Sequence, residues 1–159
     1  MKIVSNFLLN VKETYIMEAA TYKPSSWPHS IHVLGNGPYA KEIVNQITHP
    51  VDTKFHFVSS GDDENILPTM LMVGIANPTI KMAVIEEFYF ELEEETFISS
   101  VSSKVVIADN TWKTICRAQC VNIGPFTSIG HDTEIRDFVS ICANVTIGHD
   151  CIIAEYSTI

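Results

Sequence analysis

Isoleucine recurs at Ile123, Ile129, Ile135, Ile141, Ile147, Ile153 and Ile159, a spacing of six without a slip. Four residues after each of the first six stand Thr127, Thr133, Val139, Val145, Cys151 and Ser157, all small or β-branched. Directly after the same isoleucines come Gly124, Gly130, Arg136, Cys142, Gly148 and Ala154, mostly small. Neither a helix, with about 3.6 residues per turn, nor a strand with its period of about 2 produces such a register. Self-similarity at a fixed period marks a stack of repeats, a solenoid. A triangular coil satisfies the pattern. Each hexapeptide forms one short flat wall, its Ile fills the interior, and the small residue four places on fits near a corner. Three hexapeptides complete a turn, so residues 18 apart should stack as parallel strands about 4.7–4.9 Å from one another.

Upstream the register frays. Val105 lies 18 residues before Ile123, but Thr111 and Arg117 occupy the intermediate isoleucine places, so 105–111 is expected to form a first coil of imperfect phase. Downstream, Ile159 is the first residue of a further repeat. Terminal repeats of solenoids are normally capped, so the expectation is of an incomplete coil: a fragment, or one whose end a partner covers.

Residues 30–91 read as alternating strand and helix. Ile31-His32-Val33-Leu34 runs into Gly35-Asn36-Gly37-Pro38, and Ala40, Ile43, Val44 and Ile47 then mark one face of a helix. A second strand is expected at 54–59, ending near Gly61-Asp62-Asp63, and a third at 70–75. Asn77-Pro78 should cap a helix with Ile80, Ala83, Val84 and Phe88 inward. This order suggests a small parallel sheet with helices on its faces. A glycine turn between strand and helix lets backbone N–H groups approach a phosphate, and Asp62 lies 25 residues beyond Gly37, where an acidic residue can hold a ribose hydroxyl. Residues 1–29 fit neither half. Phe7, Leu8, Val11 and Tyr15 hint at a helical stretch, read as an extension packed on the body. The run Glu93-Glu94-Glu95 belongs to a solvated connector over 91–98.

Composition narrows the function. Nineteen acidic against ten basic residues give a formal charge of −9, which argues against a surface for nucleic-acid backbones. No apolar run approaches the ~18–20 residues of a membrane span, and the polar, short start from Met1 is not expected to act as a secretory signal. The four cysteines, Cys116, Cys120, Cys142 and Cys151, are therefore expected as reduced thiols of a cytoplasmic protein. No second pair stands at zinc-ribbon spacing, so no metal is expected.

The coil contains two histidines, His131 and His149, 18 residues apart and each followed by an aspartate, Asp132 and Asp150. Stacking places them at equivalent positions of adjacent turns. A histidine oriented by a carboxylate is a suitable general base; a pair of exposed surface histidines is the plain alternative.

The small α/β unit, the coil segment Ile147-Gly148-His149-Asp150-Cys151-Ile152-Ile153, and the turns Gly35-Asn36-Gly37 and Gly74-Ile75-Ala76-Asn77 together resemble the hexapeptide-repeat sugar acetyltransferases. The nearest likeness is to the branch acting on bacterial nucleotide-linked amino sugars, with its sialic-acid O-acetyltransferase relatives. The resemblance spans roughly residues 30–159. It implies a Rossmann-like nucleotide-sugar-binding domain over 30–97 and a left-handed parallel β-helix over 98–159, preceded by the extension 1–29. It also implies His149 as catalytic base with Asp150 beside it, and Gly35, Asn36, Gly37, Asp62 and Asn77 on the nucleotide sugar. Acetyl-CoA would lie along the coil near His131 and Gly148, between the subunits of a homotrimer. Two features depart from the family pattern. Pro38 and Tyr39 stand where the turn usually carries a further glycine and a histidine, and Pro38 removes a backbone donor. Family members also continue through further coils beyond the equivalent of His149.

The expected activity is acetyl transfer from acetyl-CoA to an amino or hydroxyl group of a nucleotide-activated or acidic sugar, with no role for a membrane or nucleic acid. Cys151 could in principle carry the acyl group, but its place in the repeat points inward. Two alternatives stand beside this: a non-catalytic nucleotide-sugar-binding or assembly module, and a zinc site of carbonic-anhydrase type, which needs a third histidine that the coil lacks.

Overall fold

The computed structural model describes residues 15–18, 30–46, 53–59, 70–89 and 97–159. Strands β1 (Tyr15–Glu18), β2 (Ser30–Leu34), β3 (Lys54–Val58) and β4 (Leu71–Val73) and helices α1 (Pro38–Gln46) and α2 (Pro78–Tyr89) precede the repeats. β2 is central in a parallel sheet of order β3-β2-β4, with Ile31 opposite Phe55 and Val33 opposite Met72. Ile31, Val33, Leu71, Met72 and Val73 are buried, as short apolar strands covered by helices should be. The third strand is shorter than expected because Gly74 turns the chain: its N–H reaches the Leu34 carbonyl at 2.8 Å. A Cβ at Gly74 would lie 2.5 Å from the Ala40 Cβ, so only glycine lets α1 approach β4 this closely.

α1 buries Ala40 and Ile43 and half-buries Val44, as its periodicity predicts; Ile47 lies outside the described residues. α2 is oriented otherwise than expected. Ile80 is 53% exposed and Ala83 is exposed, while Lys81 and Ile85 are fully buried and Val84 half-buried; the Phe88 side chain lies outside the description. The run Ile80-Lys81-Met82-Ala83-Val84-Ile85 is apolar nearly all round, so its pattern cannot choose a face. The oxygens offered to Lys81 choose it.

The repeats begin with β5 (Ile98–Val101), β6 (Val106–Ile107) and helix α3 (Asp109–Ile115), and continue as the two-residue strands β7 (Asn122–Ile123), β8 (Ser128–Ile129), β9 (Glu134–Ile135), β10 (Ser140–Ile141), β11 (Thr146–Ile147) and β12 (Ile152–Ile153). They lie in three separate parallel ladders. One runs β1-β5-β7-β10 and extends by a bridge from Ser140 to Thr158; another runs β6-β8-β11; a third pairs β9 with β12. Within each, Ile123 pairs with Ile141, Ile129 with Ile147 and Ile135 with Ile153, so the chain returns to the same wall every 18 residues.

The upstream irregularity has a specific cause. Val101, not Val105, pairs with Ile123, and Ile107 pairs with Ile129, so this turn takes 22 residues. The four extra residues are absorbed by α3, which replaces a strand as the third wall and packs on β9. Its Thr111 and Thr114 hydroxyls donate to the Gly130 and Thr133 carbonyls at 2.6 and 3.2 Å. Corners also differ from the expected scheme. The residues at positive φ are Cys120, Phe126, Asp132, Phe138, Asn144, Asp150 and Tyr156, three after each isoleucine place, while the residue one further on turns inward. Thr127, Thr133 and Val139 are buried there.

Tyr15, read as part of a helical stretch, lies in β1, paired in parallel with β5; residues 1–14 and 19–29 lie outside the described residues. Ile98, read as the end of a solvated connector, is buried at the start of β5. Residues 91–96 are outside the description. One hydrophobic cluster fills the coil, around Ile123, Ile129, Ile135 and Ile141. Another joins Leu34, Leu71, Val73 and Ile85 to Phe97, Cys120 and Phe138, so the core runs unbroken from the sheet to the first wall.

Candidate functional site

His149 and Asp150 follow Ile147 and Gly148 at a corner, and the positive φ of Asp150 turns its carboxylate back toward the ring. His149 Nδ1 lies 2.5 Å from Asp150 Oδ2, with the side chains 80% and 71% exposed. A carboxylate only accepts, so Nδ1 carries the hydrogen and Nε2 of the neutral ring holds the lone pair, facing open space. His131 lies one turn away, and the Asp150 N–H donates to its carbonyl at 2.9 Å. The sequence presents the two His-Asp pairs as equivalents; their surroundings are not. Asn110, at the start of α3, donates from Nδ2 to Asp132 and accepts at Oδ1 from His131 Nδ1, at 3.2 Å. Asp132 is thereby taken from its histidine, and only His149 keeps its carboxylate.

Glycine lets these turns stack. A Cβ on Gly130 would meet the Gly148 carbonyl carbon and the His149 nitrogen at 2.7 Å, whereas Gly148 has nothing within 4 Å of such a position. Cys151 packs against the coil core, and its thiol lies 3.5 Å from the His149 carbonyl, consistent with packing rather than acyl transfer.

At the C-terminal edge of the sheet, Gly35 adopts φ +103° and its N–H donates to the Val58 carbonyl at 2.8 Å. A Cβ there would lie 3.0 Å from the Gly74 carbonyl oxygen, so the turns after β2 and β4 touch. Asn36 Nδ2 donates to Ser59 Oγ at 2.7 Å, bringing in the end of β3. Gly37 is open, with nothing within 4 Å of its Cβ position. Asn77 Oδ1 accepts from the Ile80 N–H at 3.1 Å and so caps α2. Asp62 lies outside the described residues.

Sequence reasoning missed the polar seam between sheet and coil. Ser100, Asn122, Ser140 and Thr158 form one column on the first wall. Asn122 Nδ2 donates to the Val73 carbonyl at 3.0 Å. Lys81 Nζ donates to Ser140 Oγ at 2.9 Å, Thr158 Oγ1 and the Phe138 carbonyl at 3.0 Å, and the Ser157 carbonyl at 3.3 Å. The Tyr39 and Ser140 hydroxyls share a hydrogen bond, while burial pushes the phenol up to about 12. The available signal was that column: short polar residues precede the isoleucine on this wall, where Glu134 and Ile152 stand on another. Among the described residues, no group of three His, Cys, Asp or Glu is placed to hold a metal ion, and no helix is long and apolar enough to cross a membrane.

Comparison with known proteins follows the same lines. Residues 126–159 match the family described as bacterial transferase hexapeptide (six repeats). Over 56 residues the chain is 41% identical to UDP-3-O-acylglucosamine N-acyltransferase of two Caulobacter vibrioides strains; the match covers 34% of this chain and 16% of each relative. The chain thus spans about a sixth of the length of these curated relatives. In fold it is similar to a variant of GDP-perosamine N-acetyl transferase from Caulobacter crescentus, solved with CoA and GDP-perosamine, at TM-score 0.64 and 13% identity over 81% of this chain and 67% of that one. It is similar also to the acetyltransferase domain of PglB from Neisseria gonorrhoeae, solved with acetyl coenzyme A, at TM-score 0.62 and 12% identity over 82% and 69%.

Proposed function

We propose that the chain is an acetyl-CoA-dependent acetyltransferase, or the acceptor-binding portion of one, acting on a nucleotide-linked sugar. The observation that carries this reading is the His149–Asp150 pair, with Nδ1 engaged and Nε2 left to accept a proton. In architecture, residues 30–97 form a Rossmann-like domain and residues 98–159 a left-handed parallel β-helix. The nucleotide lies at the joined turns holding Gly35, Asn36 and Gly74, with acetyl-CoA along the coil by His131 and Gly148. Similarity to an N-acyltransferase and an N-acetyl transferase, by their names, favours an amine as acceptor over a hydroxyl. Exposed Val106 and Phe126 on the coil support packing against further copies, as a homotrimer.

The chemistry is direct transfer. The sugar nitrogen attacks the thioester carbonyl carbon and a C–N bond forms; His149 Nε2 takes the nitrogen's proton. The tetrahedral oxyanion is met by a backbone N–H of the coil. The C–S bond then breaks, and the proton held by His149 passes to the departing sulfur, giving free CoA thiol. Asp150 orients the ring and balances the imidazolium.

Thiol release from acetyl-CoA, with UDP- and GDP-linked amino sugars and sialic acid as acceptors, tests this. Release with one acceptor should fall about 10²–10⁴-fold in His149→Ala, the usual share of a general base. Unchanged release in the variant contradicts the base assignment. Sugar-nucleotide binding without release by the parent chain leaves a binding module instead.

A further inference from the structure

The mechanism makes no use of the most deeply buried cation. Lys81 is 0% exposed, while its neighbours Ile80 and Met82 face solvent. An amphipathic helix normally does the reverse. Burying an ammonium is a poor way to gain stability, because its desolvation offsets much of what its partners return. It is a good way to fix position, because every N–H must find an oxygen.

The partners show what is fixed. The Phe138 carbonyl and Ser140 hydroxyl belong to one turn of the coil; the Ser157 carbonyl and Thr158 hydroxyl belong to the next. Ser140 also takes the Tyr39 hydroxyl. Tyr39 lies two residues after Gly37, and Lys81 four after Asn77, whose carbonyl accepts the Lys81 N–H at 2.8 Å. Each of the two loops bordering the sheet edge, 35–37 and 74–77, therefore leads directly into a side chain bonded to the same serine.

We propose that Lys81, Tyr39 and Ser140 form a positioning node that holds both loops of the sheet edge in register with the coil. This rests on the acetyl-transfer reading above. None of the three touches a reactant; each acts by setting where the acceptor's nitrogen stands relative to the thioester carbonyl and His149. Placement errors of about 1 Å can cost about 10²-fold in rate, so the node's loss should appear in kcat. Each substrate's own contacts remain, so KM should not change.

The test uses Ser140→Ala and Tyr39→Phe, which remove one hydroxyl each, with Lys81→Met as the stronger variant. Expected in the two mild variants is a fall in kcat of about 10–100-fold, with KM for nucleotide sugar and for acetyl-CoA within about twofold of the parent. Tyr39→Phe combined with Ser140→Ala should be no worse than Ser140→Ala alone, because both cut the same connection. Unchanged kcat, or a rise confined to KM, overturns the proposal. Hydrogen exchange reads the node without catalysis. Ser140→Ala should speed exchange of the amides of both 35–39 and 77–81 and leave those of β8 and β11 unchanged. Loosening of one loop only, or of neither, overturns it. If the parent chain releases no thiol with any acceptor, the role in transfer falls with the reading it rests on, while the exchange result still decides whether the node couples the loops.

Discussion

Two buried groups at the seam between sheet and coil give stability opposite dependences on pH. Burial draws the Lys81 ammonium down from 10.5 to about 8. It pushes the Cys120 thiol up from 9.0 to about 12, against the lowering effects of a hydrogen bond to the Val73 backbone and of Lys81 itself. Between about 8 and 10.5 the unfolded chain holds the lysine proton more tightly than the folded one, so the lysine's contribution increases as pH rises and is lost as pH falls through 8. The thiol's contribution is complete below 9.0 and is lost as pH rises toward 12. Denaturant unfolding of the parent and of Lys81→Met isolates the first effect. The parent's stability minus the variant's should grow from pH 8 to 10.5 and level off beyond; a difference that shrinks over that range contradicts the burial of Lys81. Such a residue could not be read from sequence. Ile80, Ala83 and Val84 offer a helical face as good as the one used, and what decides is a set of oxygens some 57–77 residues away in the chain.

At the scale of single elements, the six-residue period was legible because one constraint, an interior wide enough for one isoleucine per wall, repeats at every turn. The 18-residue return of each wall follows from it. The α3 insertion was not legible, since Thr111 and Arg117 look like failed isoleucines until the helix is seen to replace a wall. Corners hide for another reason: Asp132, Asn144 and Asp150 suit positive φ, but Phe126, Phe138 and Tyr156 occupy the same place against type. Close stacking at the histidine corner has a direct test. Gly130→Ala puts a methyl 2.7 Å from two backbone atoms of the next turn and should cost about 1–3 kcal/mol. Gly148→Ala, with nothing within 4 Å, should stay within about 0.5 kcal/mol. Equal effects from the two would mean that the turns do not stack as described.

Across the whole molecule, one wall of the coil is closed by the sheet and its helices, through Phe97, Cys120 and Phe138 in the shared core and through the seam of Asn122 and Ser140. The His149 corner stays open. Alternation of strand and helix revealed the small parallel sheet, and the repeat revealed the coil, but nothing local reveals how they meet, because that contact joins residues far apart in sequence. The candidate site divides similarly. His149 and Asp150 were legible as neighbours, whereas the difference between them and His131–Asp132 depends on Asn110, 21 residues before His131. The proposed transfer to a sugar nitrogen through His149 is tested most directly by mass spectrometry of the sugar nucleotide after incubation with acetyl-CoA and the parent chain or His149→Asn. Gain of one acetyl group with the parent, and its loss with the variant, is the expected result. An unmodified sugar nucleotide with the parent, or equal acetylation by both proteins, would contradict it.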